Sequence, residues 1–441
     1  MTLAYAPVTA EAYLMLGDLQ QTLGEYAAAE SSFYRALWAG EAGKQDRIAA
    51  KAWTRLVYVV GYSQERVGEA QRLVQHADAA LRRLGDDEIE RASLQSAAGS
   101  IAFQQGRYPE AQQRFEQSRT LIEKALGPDS LELAEVLQRL ALVYEPLGVW
   151  AQAIALERRC LAIFEQRFGS VHPQTADSRR RLAQHLFYNE YFEEALRLAQ
   201  QALATYERSY PTDDEHIAAA LLGVAEILLD MDRGQEALPL TARALDIRSK
   251  RRDLWHTDVA EALAAHSAAL LQEGQTDSAL KEGLRVREIV ERTLGTEHIK
   301  YAWALADLGR IYAAAGQHRR AYEAHRESLS ALERSQVKDV WSIEKQRIEV
   351  GRAELALGDG AAALTTLERA VGELERNDSI AILLGDAYLR LAEVLAFLKR
   401  DGQRVQRLAQ QAIAVYCKQR VGRKRRIAAA ERFLALQAPA G

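Results

Sequence analysis

The chain has 441 residues, 48% hydrophobic and 27% charged, and its 57 basic and 61 acidic side chains leave a formal charge of −4. So near a balance does not point to nucleic acid or an anionic membrane as partner, and two cysteines are too few for a secreted disulfide scaffold, which favours a reducing compartment. Alanine, leucine, glutamate, arginine and glutamine dominate, all helix formers, and no alternating β-branched run bounded by turn residues occurs, so an all-α fold is expected.

In chain order, residues 1–8 read as a tail with neither the basic segment nor the apolar core of a signal peptide. No stretch approaches the ~18 apolar residues of a membrane span, and a cytoplasmic protein is expected. The helical pattern starts at Thr9. Tyr13, Leu14, Met15 and Leu16 follow as four consecutive apolar residues, which cover most of a helix circumference. Something is expected to lie against them: more chain upstream, a docked partner, or a second copy meeting this first repeat.

A short word then recurs, as Gly24-Glu-Tyr-Ala-Ala-Ala29, Gly106-Arg-Tyr-Pro-Glu-Ala111, Gly148-Val-Trp-Ala-Gln-Ala153 and Gly316-Gln-His-Arg-Arg-Ala321. Its last residue continues through the chain as Ala29, Ala70, Ala111, Ala153, Ala195, Ala237, Ala279, Ala321, Ala363 and Val405, in steps of 41, 41 and then 42. A second small residue follows seven positions later: Ala36, Ala77, Ser118, Cys160, Ala202, Ala244, Val286, Ser328, Ala370 and Ala412. Each unit has one apolar-periodic segment before the glycine and one after it, for example Leu137, Leu140, Ala141 and Tyr144, then Ala153, Leu156, Cys160 and Ile163. Spacings of three, four and seven put each set on one helical face. Ten helical hairpins are predicted, with the glycine at positive φ where the first helix turns into the second. The small residues let the two helices approach closely. A lone hairpin cannot bury its apolar faces, so the hairpins stack into an α-solenoid spanning 9–417.

Three further features stand out along the chain. His172, His256 and His298 recur at one position between repeats. Only two of them lie on successive repeats and no third ligand is patterned beside them, so a turn role is expected rather than a metal. Arg179, Arg180 and Arg181 are consecutive and cannot all face one way. The run from Lys418 to Arg426 holds six basic residues in nine, before Ile427, Ala430, Phe433 and Leu434. Residues 418–441 are expected to form a capping helix and tail. No nucleophile–base arrangement or phosphate-cradling glycine loop occurs, so neither catalysis nor a cofactor is expected.

The recurring residues resemble the tetratricopeptide family. Leu16-Gly17, Gly24, Tyr26, Ala29 and Ala36 match its pattern, as do Leu308-Gly309, Tyr312, Gly316, Ala321 and Ser328. A period near 42 instead of 34, with Leu126-Gly127, Phe168-Gly169-Ser-Val-His172-Pro173 and Leu294-Gly295-Thr-Glu-His298 between repeats, is similar to the longer kinesin-light-chain-like subtype. His256 takes the same slot, with Asp253 in place of the glycine. The stretch Ala36 to Ala50, with Ala52-Trp53 and Gly61-Tyr62, resembles the repeats that follow the catalytic domain in myxobacterial serine/threonine protein kinases, whose own motifs this sequence lacks. The resemblance implies a protein- or peptide-binding scaffold, the sensory or partner-recruiting region of a bacterial signalling system. The alternatives are part of a kinase polypeptide with its catalytic domain upstream, or a structural spacer or self-association module. It also implies a concave surface lined by first helices, here Gln138, Glu145, Asp177, Arg180, Gln184, Glu226, Ala268 and Arg310. Arg180 would then clamp a carboxylate or phosphate.

Overall fold

The computed structural model describes residues 6–85, 87–147, 149–335, 339–376, 381–418 and 423–437. Among them are twenty-one α-helices and a single π-helical turn, with no strand. The chain forms two compact units, Met1–His185 and Leu186–Gly441.

The first unit holds the hairpins α1 (Ala6–Thr22) with α2 (Tyr26–Ala42), α3 (Asp46–Tyr58) with α4 (Val67–Arg83), α5 (Glu88–Gln104) with α6 (Tyr108–Leu126), and α7 (Leu131–Tyr144) with α8 (Trp150–Phe168). A π-helical turn, Val59–Ser63, extends α3. The boundary between units falls inside α9 (Pro173–Tyr188). The second unit continues with α10 (Phe192–Ser209), α11 (Glu215–Asp230), α12 (Gly234–Arg251), α13 (Thr257–Gln272), α14 (Thr276–Leu294), α15 (Ile299–Ala314) and α16 (His318–Arg334). It ends with α17 (Val340–Ala356), α18 (Gly360–Leu374), α19 (Ala381–Phe397), α20 (Gly402–Lys418) and α21 (Arg423–Gln437). Odd-numbered helices from α1 to α19 are the first helices of the ten sequence repeats, nine of them pack on the helix that follows as a hairpin within one unit, and α21 packs on α20.

The repeated small residues sit where the hairpins close. Every member of the first series, Ala29 through Val405, is buried, and so is every member of the second. Three of the second series also bond the facing helix. Ser118 Oγ donates to Ala92 O (2.9 Å), Cys160 Sγ to Ala134 O (3.3 Å) and Ser328 Oγ to Ala302 O (2.7 Å). A larger side chain there would push the two backbones apart. Phe33 and Phe115 lie across Gly17 and Gly99 of their first helices, so close that a Cβ on Gly17 would meet the Phe33 ring at 2.5 Å. Apolar clusters join two or three successive repeats. Ala92, Ile122, Leu137 and Ile163 link the third hairpin to the fourth, and Val286, Tyr301 and Leu332 the seventh to the eighth. The core is therefore quasi-one-dimensional.

The turns inside hairpins need the left-handed region. Gly24, Gly106 and Gly316 have φ of +77°, +71° and +71°, as the sequence pattern predicts, whereas Gly148 lies outside the described residues. Glu65, Glu190 and Asp232 make the same turn at +58°, +60° and +60° without glycine. The two cysteines differ: Cys160 is buried and Cys417 is exposed. At the C-terminal end Ile427, Ala430, Phe433 and Leu434 of α21 pack on the cluster built by the last two hairpins. Of the basic run, Arg426 ion-pairs Asp386 (3.4 Å) and Glu190 (3.6 Å).

Candidate partner-binding groove

First helices of adjacent hairpins touch one another, as α3 does α5 and α5 does α7, so their outward positions share one surface. In the first unit that surface is a groove of about 370 Å³. Its lining comes from Gln21 of α1, Lys51, Arg55 and Tyr58 of α3, Glu90, Ser93 and Ser96 of α5, and Glu132, Glu135 and Arg139 of α7. Much of this wall is already paired. Arg55 binds Asp18 (2.8 Å) and Lys51 lies 3.5 Å from Glu90. Arg139 is different. Its Nη1 donates to Ser96 Oγ (3.1 Å) and Ser100 Oγ (3.4 Å), and its guanidinium lies 5.6 Å from the Tyr58 ring centre. No carboxylate among the described residues ion-pairs it. Neutral hydroxyls and a ring face thus orient a guanidinium without cancelling its charge, leaving N–H groups for an incoming acceptor.

Gln138, which the sequence pattern puts on the binding face, is the neighbour of Arg139. Gln138 is half-buried, with its Nε2 enclosed and without a partner. Glu145 is half-buried and holds His185 Nε2 at 2.9 Å. Asp177 and Arg180 are half-buried and Gln184 is exposed. None of these five lines the groove. The arginine triplet does split in direction, since Arg179 is buried, paired with Glu165 (2.6 Å) and donating to Ser170 O (2.6 Å).

In the second unit Glu226 and Arg310 stay solvent-reached, and both lie within electrostatic range of Asp230. Surrounding protein displaces water from Glu226 although its surface is open, and with the carboxylates of Asp230 and Glu261 this pushes its carboxyl up to about 7. Arg310 pairs with Asp307 (2.6 Å) and, with Ala268, lines a small pocket. Lys345 lies 4.5 Å from the Trp341 ring centre, and burial and Arg310 hold its ammonium below the usual range.

The inter-repeat histidines are helix N-caps. His172 Nδ1 accepts from Gln174 N (3.2 Å), His256 Nδ1 from Asp258 N (3.1 Å) and His298 Nδ1 from Lys300 N (3.1 Å). At the same position Ser130 and Asp214 cap with oxygen. The recurring residue is thus one that can accept a hydrogen bond from an orphan N–H. Among the described residues no group of three or more His, Cys, Asp or Glu is set to hold a metal ion, and no helix is long and apolar enough to cross a membrane.

The chain carries tetratricopeptide repeats: the profile of that repeat matches residues 90–166, 134–208 and 258–334. Solved structures resemble it at low identity. A Rap protein complexed with Competence and Sporulation Factor is 17% identical over 90% of this chain and 99% of its own, with a TM-score of 0.56. The apo quorum sensor NprR from B. thuringiensis is 12% identical over 85% and 99%, with a TM-score of 0.58. Repeats of a putative kinesin light chain from Podosopora anserina are 23% identical over 45% and 94%, with a TM-score of 0.42. No curated protein matches the sequence.

Proposed function

We propose that this chain is a binding scaffold that takes a protein or peptide partner along the first-helix groove of its first unit. The observation that carries the reading is Arg139, held by Ser96, Ser100 and Tyr58 in a groove that four hairpins build together, with no carboxylate ion-paired to it. A groove made by successive first helices suits an extended or helical peptide, and an anchored guanidinium gives it register. That a Rap protein of this fold was solved with Competence and Sporulation Factor, and that NprR is called a quorum sensor, supports peptide recognition and a role in signalling. The resemblance of residues 36–62 to kinase-linked repeats supports the partner-recruiting region of a bacterial signalling protein, which an in-frame kinase domain upstream would establish. The decisive experiment is selection from a displayed peptide library on the wild-type chain and on Arg139→Glu. Retained peptides that ignore the charge reversal, or no retained peptide at all, would refute the groove. Arg180→Glu separates the two arginines, because only a partner extending past the groove responds to it.

Self-association through the first hairpin is a second reading. In α1, Val8, Met15 and Leu19 are 62%, 68% and 57% exposed along one stripe, while Tyr13 and Leu14 turn inward. Light scattering of Met15→Glu against wild type tests it; equal masses at high concentration exclude it.

A further inference from the structure

In the second unit the extensive helix contacts all join elements one or two places apart in the chain, as α11 joins α12 and α13. One group of side chains departs from that rule. Arg426 of α21 holds its Nε 3.4 Å from Asp386 Oδ1 of α19 and its Nη1 3.6 Å from Glu190 Oε1, in the turn between α9 and α10. The two ends of the unit therefore meet, and the helices between them turn about a common interior. Asp230 of α11 reports the same closeness. Lys345 of α17, Arg310 of α15 and Arg426 are all within electrostatic range of it, although four separate helices carry the four groups.

On the C-terminal side the join is held firmly. The Tyr416 hydroxyl donates to Asp386 Oδ1 (2.7 Å), and the Tyr416 ring lies across Gly385, where a Cβ would meet it at 2.6 Å. Ile427 and Ala430, next to Arg426 on α21, pack on the cluster of the last two hairpins. Glu190 on the other side is set by something other than its turn. It stands at φ +60°, a conformation in which Gly24, Gly106 and Gly316 make the corresponding turns, so local backbone preference does not call for a glutamate there. Around it three carboxylates crowd together. Surrounding protein displaces water from Glu190 and, with Asp230 and Asp386, raises its carboxyl above the ordinary range, while Arg426 draws it back. Like charges brought this close repel one another unless a cation lies among them.

We propose that α21 is a strap: Arg426, seated on Asp386, closes the second unit into one turn by pairing with Glu190, and release of that pair lets the turn open. Charged side chains make this join where apolar packing makes every other, which suits a closure that has to yield. A charge pair between partly exposed groups gives way to a competing ion, whereas an apolar seam would not. Asp230, Arg310 and Lys345 are reached by water inside the turn. The state of the strap therefore sets how far apart these groups stand and what the interior admits. The inference uses neither the groove of the first unit nor its occupant.

The test measures the closure in the full chain by double electron–electron resonance. Cys417→Ser removes the exposed thiol, and Gln200→Cys on α10 with Gln410→Cys on α20 place spin labels on exposed positions of the two walls. A second pair, Gln410→Cys with Arg432→Cys, reports whether α21 stays on α20. The expected result is one narrow distance across the turn in the otherwise wild-type chain. Arg426→Glu and Glu190→Arg should each lengthen it by about half a helix diameter, ~5 Å or more, or broaden it towards longer values. The two reversals combined should bring it back, because the pair is then restored with its charges exchanged. Should a reversal fail to fold, Arg426→Gln removes the cation without adding a carboxylate and gives the same readout. The proposal is overturned by a distance that neither reversal nor Arg426→Gln changes. It is equally overturned by a combined variant as open as the single ones, or by a change that appears in the α20–α21 pair as well, which would mean that the helix had simply come away.

Discussion

Glu157 of α8 is fully buried between two positions of the small-residue series, and neither carboxylate oxygen has a hydrogen-bond partner. Burial pushes its pKa from 4.5 up to about 7, although His185 and Arg181 pull the other way. In the unfolded chain the group ionises near 4.5, while the folded chain keeps the proton until about pH 7. Between those values the unfolded state binds fewer protons, so stability falls as pH rises and levels off above about 7. The difference of about 2.5 units corresponds to about 3 kcal/mol at 1.36 kcal/mol per unit. Glu157→Gln removes this dependence. Its new amide adds a cost or gain of its own, but one that does not change with pH. Urea unfolding of both proteins followed by circular dichroism at pH 4.5, 6 and 8 isolates the effect. The variant should gain about 3 kcal/mol on wild type between pH 4.5 and 8. His185, whose pKa Glu145 at 2.9 Å raises against burial, also loses stabilisation with rising pH, and because Glu157 adds to that rise the comparison is repeated in a His185→Gln background. A stability difference that is flat from pH 4.5 to 8 would refute the reasoning, because it would mean that Glu157 titrates in the folded chain as it does in the unfolded one.

Asp232→Gly relieves a non-glycine residue at φ +60°, and the melting temperature should rise with a gain of about 0.5–1 kcal/mol. His298→Ala removes the cap on α15 and should cost about 1 kcal/mol, whereas His298→Asp, which copies Asp214, should stay within a few tenths of wild type by thermal unfolding. Gly17→Ala places a Cβ 2.5 Å from the Phe33 ring, which is fully buried, and should cost about 1–3 kcal/mol by urea unfolding despite alanine's better helix propensity.

The scaffold was legible in the sequence because each repeat solves the same packing problem with the same small set of residues. Ala29 and its successors had to be small, and Gly24 had to reach positive φ, wherever a hairpin closes. The binding face was less legible. On an amphipathic helix neighbouring residues differ by a large rotation, so Gln138 and Arg139 face differently and only Arg139 lines the groove. The partners that make Arg139 distinctive, Ser96, Ser100 and Tyr58, lie 39 to 81 positions earlier and carry no pattern of their own. Glu65, Glu190 and Asp232 in left-handed turns were illegible for a related reason, since the fold imposes that conformation where the local residue does not ask for it.

A solenoid spreads its stability over many nearly independent interfaces, so a costly residue in one hairpin weakens that hairpin and little else. That explains where this chain can depart from its own pattern. Glu157 and His325 occupy equivalent positions, four residues after Ala153 and Ala321, where Phe33 and Phe115 stand in other hairpins. Both bring buried polar atoms without hydrogen-bond partners into a position that would pack better with a ring. Beside His325 the following helix supplies alanines and leaves a cavity. Beside Glu157 the compensation is electrostatic, from His185 and Arg181. The two departures from the repeat differ in whether the neighbouring helix leaves space beside them. On that reasoning, Ala356→Leu should change stability by no more than a few tenths of a kcal/mol, because Ala356 is exposed. Removing the polar group with His325→Phe should instead stabilise the eighth hairpin. Thermal unfolding of the two variants side by side separates those outcomes, and a destabilised His325→Phe would show that the hydrogen bond to Gln346 outweighs the cost of the bare Nε2.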